Sequence, residues 1–157
     1  MLQSKDFVEF IESLNRHEVE FLVIGAFAVG FHARPRETSD LDVWLRTSKE
    51  NLDRAWQALA SFGFTLDRAP DTPILKIGEV LQLGYPPNRI DLLTSISGIE
   101  FESAWAHRVE GVLFGQRVWF LGLDDLVRNK LASGRDKDRH DVSTIKRINE
   151  VKIEKPE

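Results

Sequence analysis

Apolar residues near the N-terminus, Phe7, Phe10, Ile11 and Leu14, recur at three- and four-residue intervals, which predicts an amphipathic helix over residues 6–15. Asp6 with Glu9 forms a capping-box pattern at its start. Phe21-Leu22-Val23-Ile24 is a short apolar run that stops at Gly25, the pattern of a buried strand. Residues 26–33 read as a short helix and residues 41–45 as a second strand. Thr47 with Glu50 then suggests a capping box for a helix carrying Leu52, Ala55, Trp56 and Leu59 on one face and ending at Gly63. Short strands are expected at residues 64–66, 74–77, 80–83 and 89–93, separated by turns at Pro70, Pro73, Gly78, Pro86 and Pro87. A helix over residues 99–107 follows, then a hairpin of residues 109–114 and 117–121 joined at Gly115-Gln116. Leu123, Leu126, Val127 and Leu131 mark a further helix that Gly134 ends, and Val142, Ile145 and Ile148 mark the last one. Helices mixed with a strand-rich middle predict an α/β (α+β) fold with a mixed central sheet flanked by helices. One domain is expected over residues 1–151, with a charged, fraying tail at residues 152–157.

Composition narrows the function classes. The 157 residues are 42% hydrophobic and 29% charged, enough for one buried core. The absence of cysteine removes disulfides, thiolate nucleophiles and thiolate metal sites, and fits a reducing, cytoplasmic setting. No run is long enough for a membrane span, and the first residues lack a signal-peptide pattern. The net charge of -4 argues against a bulk nucleic-acid binder.

The candidate chemistry lies in carboxylates. Asp40 and Asp42 flank Leu41 on a strand, so both side chains point to one face, roughly 7 Å apart, while Leu41 and Val43 point into the core. Like charges this close repel, and a divalent cation with its preference for carboxylate oxygen resolves the conflict. Asp91 is the lone acid in the apolar strand Ile90-Asp91-Leu92-Leu93. Were that strand beside the one carrying Asp42, the three acids would converge. Singly, such acids are more often solvated turns, salt-bridge partners or edge residues. Gly25 and Ala26 follow a strand and open a helix, a setting where backbone amides approach a phosphate.

The run Gly25-Ala26-Phe27-Ala28, then His32, then Arg36-Glu37-Thr38-Ser39-Asp40-Leu41-Asp42-Val43, resembles the signature of the nucleotidyltransferase superfamily. The segment Lys130-Leu131-Ala132-Ser133-Gly134-Arg135-Asp136-Lys137-Asp138 resembles the lysine-bearing helical segment of its small branches: AbiEii-like toxins, minimal nucleotidyltransferases and lincosamide nucleotidyltransferases. The resemblance spans about residues 18–142. It departs at the turn, which is usually Gly-Gly or Gly-Ser and here lacks the serine hydroxyl.

What the resemblance implies is two-metal transfer of a nucleoside monophosphate from a nucleoside triphosphate to a hydroxyl. Asp40 and Asp42 would bind Mg2+ (or Mn2+) carrying the triphosphate, and Asp91 the second metal. Gly25 and Ala26 would cradle phosphate, with Arg36, Lys130 and Lys137 near it. The acceptor would be an RNA 3′ end, a protein or a small molecule, with a cognate toxin or antitoxin as a partner, and no membrane is involved. A non-catalytic nucleotide sensor or antitoxin-type binding protein is the alternative. Pairing of Lys130 with Asp138 or Asp141 competes with a phosphate contact. His32 reads as structural, and Trp44, Trp56, Trp105 and Trp119 as core.

Overall fold

The computed structural model describes residues 4–34, 40–64, 75–85 and 88–154. Its order is α1 (Ser4–Arg16), β1 (Phe21–Ile24), α2 (Gly25–His32), β2 (Asp40–Leu45), α3 (Lys49–Phe62), β3 (Val80–Tyr85), β4 (Asn88–Leu93), α4 (Phe101–Ala106), β5 (Val109–Leu113), β6 (Gln116–Phe120), α5 (Leu123–Ser133) and α6 (Asp136–Glu154). The strands form a six-stranded mixed sheet in the order β3-β4-β2-β1-β6-β5. β2 pairs parallel with β4, and β1 parallel with β6. The other neighbours are antiparallel. The expected mixed sheet flanked by helices is the fold observed.

The centre of the sheet is apolar because its strands are. Leu22, Val23, Leu41, Val43, Leu45, Ile90 and Leu92 are fully buried. The apolar stripe of α1 packs on α3, and the Ser13 hydroxyl donates to the Ala58 carbonyl at 2.8 Å across that contact. Local signals explain the ends of elements, with two shifts of one residue. The cap of α3 is Ser48, whose Oγ accepts from the Asn51 amide at 3.2 Å, rather than Thr47. Gly63 ends that helix at φ 110. The β5–β6 turn is Phe114-Gly115, not Gly115-Gln116. Both turn residues have positive φ, 53 and 76, the backbone of the tight hairpin turn that follows the strand twist.

Other expectations need correction or fall outside the described residues. Leu75–Ile77 form no strand, and residues 65–74 and 86–87 are not among those described. The helix expected over residues 99–107 is shorter, Phe101–Ala106. The last helix spans Asp136–Glu154. Among the tryptophans only Trp44 is fully buried. Trp105 and Trp119 are half-buried, with the Arg108 guanidinium 4.2 and 4.4 Å from their ring centres.

Candidate active site

Parallel pairing of β2 with β4 sets Asp42 opposite Asp91, and Asp40 opposite Arg89. On its other side Asp42 lies opposite Ile24, the last residue before Gly25. One register therefore brings two expected acids together at the start of α2, and strand alternation adds Asp40 on the same face. A cleft of about 420 Å³ opens there. Gly25, Ala26, Asp40, Asp42, Asp91, Lys130 and Lys137 all line it; Arg36 lies outside the described residues.

Gly25 is required by this geometry. It has φ +67, and a Cβ built on it would lie 2.2 Å from Asp42 Oδ2. The absent side chain lets α2 start directly against the carboxylate. Gly25→Ala is expected to destabilise the protein by about 1–3 kcal/mol, through left-handed backbone and displaced carboxylate together. Thermal unfolding checks this, and an unchanged midpoint would refute it.

Asp42 is a strongly perturbed acid. Burial raises its pKa from 3.8 to about 6, reinforced by the Asp91 and Asp40 charges and a hydrogen bond with Asp91, with Arg89 opposing. A half-buried carboxylate facing another carries negative charge that one arginine only partly offsets, and its hard oxygens suit a divalent cation. The donor set therefore fits Mg2+ or Mn2+. Among the described residues the acids are not preassembled as a metal cage. Instead the Arg89 guanidinium holds them: Nε donates to Asp91 Oδ1 at 2.9 Å, and Nη2 to Asp91 Oδ2 at 3.1 Å and Asp40 Oδ2 at 3.0 Å. Sequence reading missed Arg89. Its signal was a basic residue two before Asp91, hence on the same face of one strand.

The opposite wall comes from α5 and α6. Lys130 is buried, as its place seven residues after Leu123 on the apolar stripe of α5 predicts, whereas Leu131, expected on the same stripe, is 54% exposed. The Lys130 ammonium donates to Asp138 Oδ1 at 3.1 Å and Asp141 Oδ2 at 3.0 Å. The internal pairing expected for Lys130 is thus formed. The exposed cations on this wall are Arg135 and Lys137. Arg135 Nε donates to Asp138 Oδ2 at 2.7 Å, and its charged form is further favoured by Asp42. His32 is structural, as expected: its Nε2 lies 2.6 Å from the Leu121 carbonyl.

Burial works to raise the Asp138 pKa, but hydrogen bonds from Arg135, Ser133 and Lys130 outweigh it and hold the carboxyl at about 2, below the ordinary 3.8. With the folded value below the unfolded one, the stabilisation is complete above the unfolded value and is lost as pH falls toward the folded one. Wild type is expected to lose on the order of 2 kcal/mol between about pH 4 and pH 2 through this group. Urea unfolding of wild type and Asp138→Asn across pH checks this. The gap between them should be widest at neutral pH and close in acid; a gap independent of pH would contradict the assignment.

Comparison with known proteins agrees with the fold. The lincosamide antibiotic adenylyltransferase LnuA, solved with lincomycin bound, superposes with a TM-score of 0.59 at 13% identity, covering 94% of this chain and 98% of that one. The antibiotic-resistance factor ANT(2'')-Ia superposes with a TM-score of 0.60 at 11% identity, covering 90% of this chain and 80% of that one. At such identities these likenesses establish the fold. Comparison with curated protein sequences finds no match. The family profile described as nucleotidyltransferase of unknown function, DUF6036, matches residues 5–156. The chain therefore belongs to the DUF6036 family of nucleotidyltransferases.

Proposed function

We propose that this nucleotidyltransferase works with a divalent metal, Mg2+ or Mn2+, held by Asp40, Asp42 and Asp91. The observation that carries the reading is the register that sets Asp42 against Asp91 on one side and beside Gly25 on the other. When bound, the metal supplies Lewis-acid stabilisation of the attacking and leaving oxygens of an in-line displacement at the α-phosphorus. Asp40, Asp42 and Asp91 would hold it with carboxylates whose mutual repulsion it would relieve. The open amides at the start of α2, at Gly25 and Ala26, receive phosphate oxygens, and the helix dipole favours negative charge there. Asp91 favours loss of the proton from the acceptor hydroxyl. Lys137 and Arg36 draw the triphosphate in by charge, whereas Lys130 acts at one remove, by holding α6 against α5.

The acceptor is the hydroxyl of an RNA 3′ end, a protein or a small molecule. The likeness to an enzyme solved with lincomycin supports the small molecule. The resemblance to AbiEii-like toxins supports the other two, with a cognate toxin or antitoxin as partner. The setting proposed is the cytoplasm, which the lack of cysteine suits. Among the described residues no helix is long and apolar enough to cross a membrane. Incubation with α-labelled nucleoside triphosphates and Mg2+, with tRNA, protein and small-molecule hydroxyls offered in turn, tests the reading. Label transferred by wild type and not by Asp42→Asn supports it. Binding of nucleotide without transfer to any acceptor would favour the sensor reading, to which Ala26 and the occupied carboxylates around Arg89 lend support.

A further inference from the structure

Arg89 has no task in the reaction as proposed, yet it sits at its centre. β4 places it two residues before Asp91, and the register with β2 sets it opposite Asp40. Its guanidinium bridges the two acids through three charge-assisted hydrogen bonds of 2.9–3.1 Å. The side chain is 26% exposed and lines the cleft. A single positive charge thus already occupies oxygens that the reaction assigns to a divalent ion.

We propose that Arg89 is an internal counter-ion that closes the acid cluster to free divalent cations and yields it only to a cation arriving with a nucleoside triphosphate. The inference rests on the reading of Asp40, Asp42 and Asp91 as the metal-holding acids. A cation arriving alone has to break the bridge and leaves a partly exposed guanidinium without its carboxylates beside a second positive charge, and that repulsion opposes its binding. Triphosphate oxygens change the balance. They offer the planar fork the same bidentate geometry a carboxylate offers, so Arg89 exchanges one anion for another and no charge is stranded. Metal and nucleotide then bind with positive coupling, each raising the affinity for the other. Arginine suits this role better than lysine, because one group reaches both oxygens of Asp91 and one of Asp40 at once.

The test is Mn2+ uptake followed by electron paramagnetic resonance of the free ion. Wild type, Arg89→Gln and Arg89→Lys are compared with and without a nucleotide analogue that cannot be cleaved at the α–β bridge. Wild type is expected to bind Mn2+ weakly alone and at least about tenfold more tightly with the analogue. Arg89→Gln is expected to bind Mn2+ alone about tenfold more tightly than wild type and to lose most of the coupling. Arg89→Lys keeps the charge without the fork and falls between. Equal or weaker Mn2+ binding by folded Arg89→Gln, with nucleotide-dependent uptake intact in wild type, would overturn this inference alone. Should Arg89→Gln not fold, unchanged affinity and coupling in Arg89→Lys would do the same. No Mn2+ uptake by wild type even with the analogue would overturn the metal reading and this inference with it.

Discussion

Asp42→Asn is expected to lower nucleotide transfer on the order of 10³-fold or more and, in the metal-free protein, to raise stability. The first effect follows from position. Asp42 is the acid that touches both Asp91 across the register and the start of α2, and loss even of a group that only orients a metal ligand costs 10–100-fold. The second follows from the sign of its pKa shift. Burial and the neighbouring acids raise the carboxyl from 3.8 to about 6. The folded state therefore holds a proton that the unfolded state releases, and stability falls as pH rises between those two values. At neutral pH the ionised carboxylate is a standing cost, which asparagine removes while keeping the shape. The gain is about 1–3 kcal/mol, or roughly 3–10 °C in midpoint for a chain of this size. It should vanish below about pH 4, where the aspartate is protonated in both states. Thermal unfolding in chelator at several pH values measures it. A variant less stable than wild type throughout would show that Asp42 is a structural acid.

The second large effect is expected at Lys130. Lys130→Met keeps the packing of the stem and removes the ammonium from between Asp138 and Asp141, which are 1% and 5% exposed. Breaking one side of a buried ionic cluster costs about 2–4 kcal/mol, with Arg135 and Ser133 still holding Asp138. The expected loss in midpoint is roughly 5–15 °C. Adding Asp138→Asn and Asp141→Asn should recover much of it, because the three charges form one unit. Lys137→Ala, on the exposed face, should change stability by less than about 0.5 kcal/mol and weaken nucleotide binding severalfold instead. The opposite pattern, a stable Lys130→Met that binds nucleotide poorly, would put the Lys130 ammonium on the phosphate.

The legible part of this site was whatever local periodicity decides. Alternation along residues 40–43 put two acids on one face and two apolar residues in the core, and Leu41 and Val43 are indeed fully buried. A glycine between an apolar strand and a short helix was readable as a place of close approach, and the approaching group is Asp42. Arg89 was legible only in part: its place two before Asp91 sets it on that acid's face, but its bridge to Asp40 comes from a register between strands, 49 residues apart in sequence. Helical period also placed Lys130 on the α5 stripe, seven residues after Leu123, and its ionic partners on α6 hold it there; Leu131, read on the same stripe, is left exposed. Trp105 and Trp119 show the same limit, for aromatic residues read as core proved to be half-buried platforms for Arg108.

The claim at the centre is that Asp40, Asp42 and Asp91 bind a nucleoside triphosphate through a divalent metal. Calorimetric titration of each nucleoside triphosphate, with and without Mg2+, into wild type and into Asp40→Asn/Asp42→Asn measures this most directly. Heat of binding that requires Mg2+ and disappears in the folded double variant is the expected result. Triphosphate binding of equal strength without Mg2+, or binding that survives in the double variant, would contradict it.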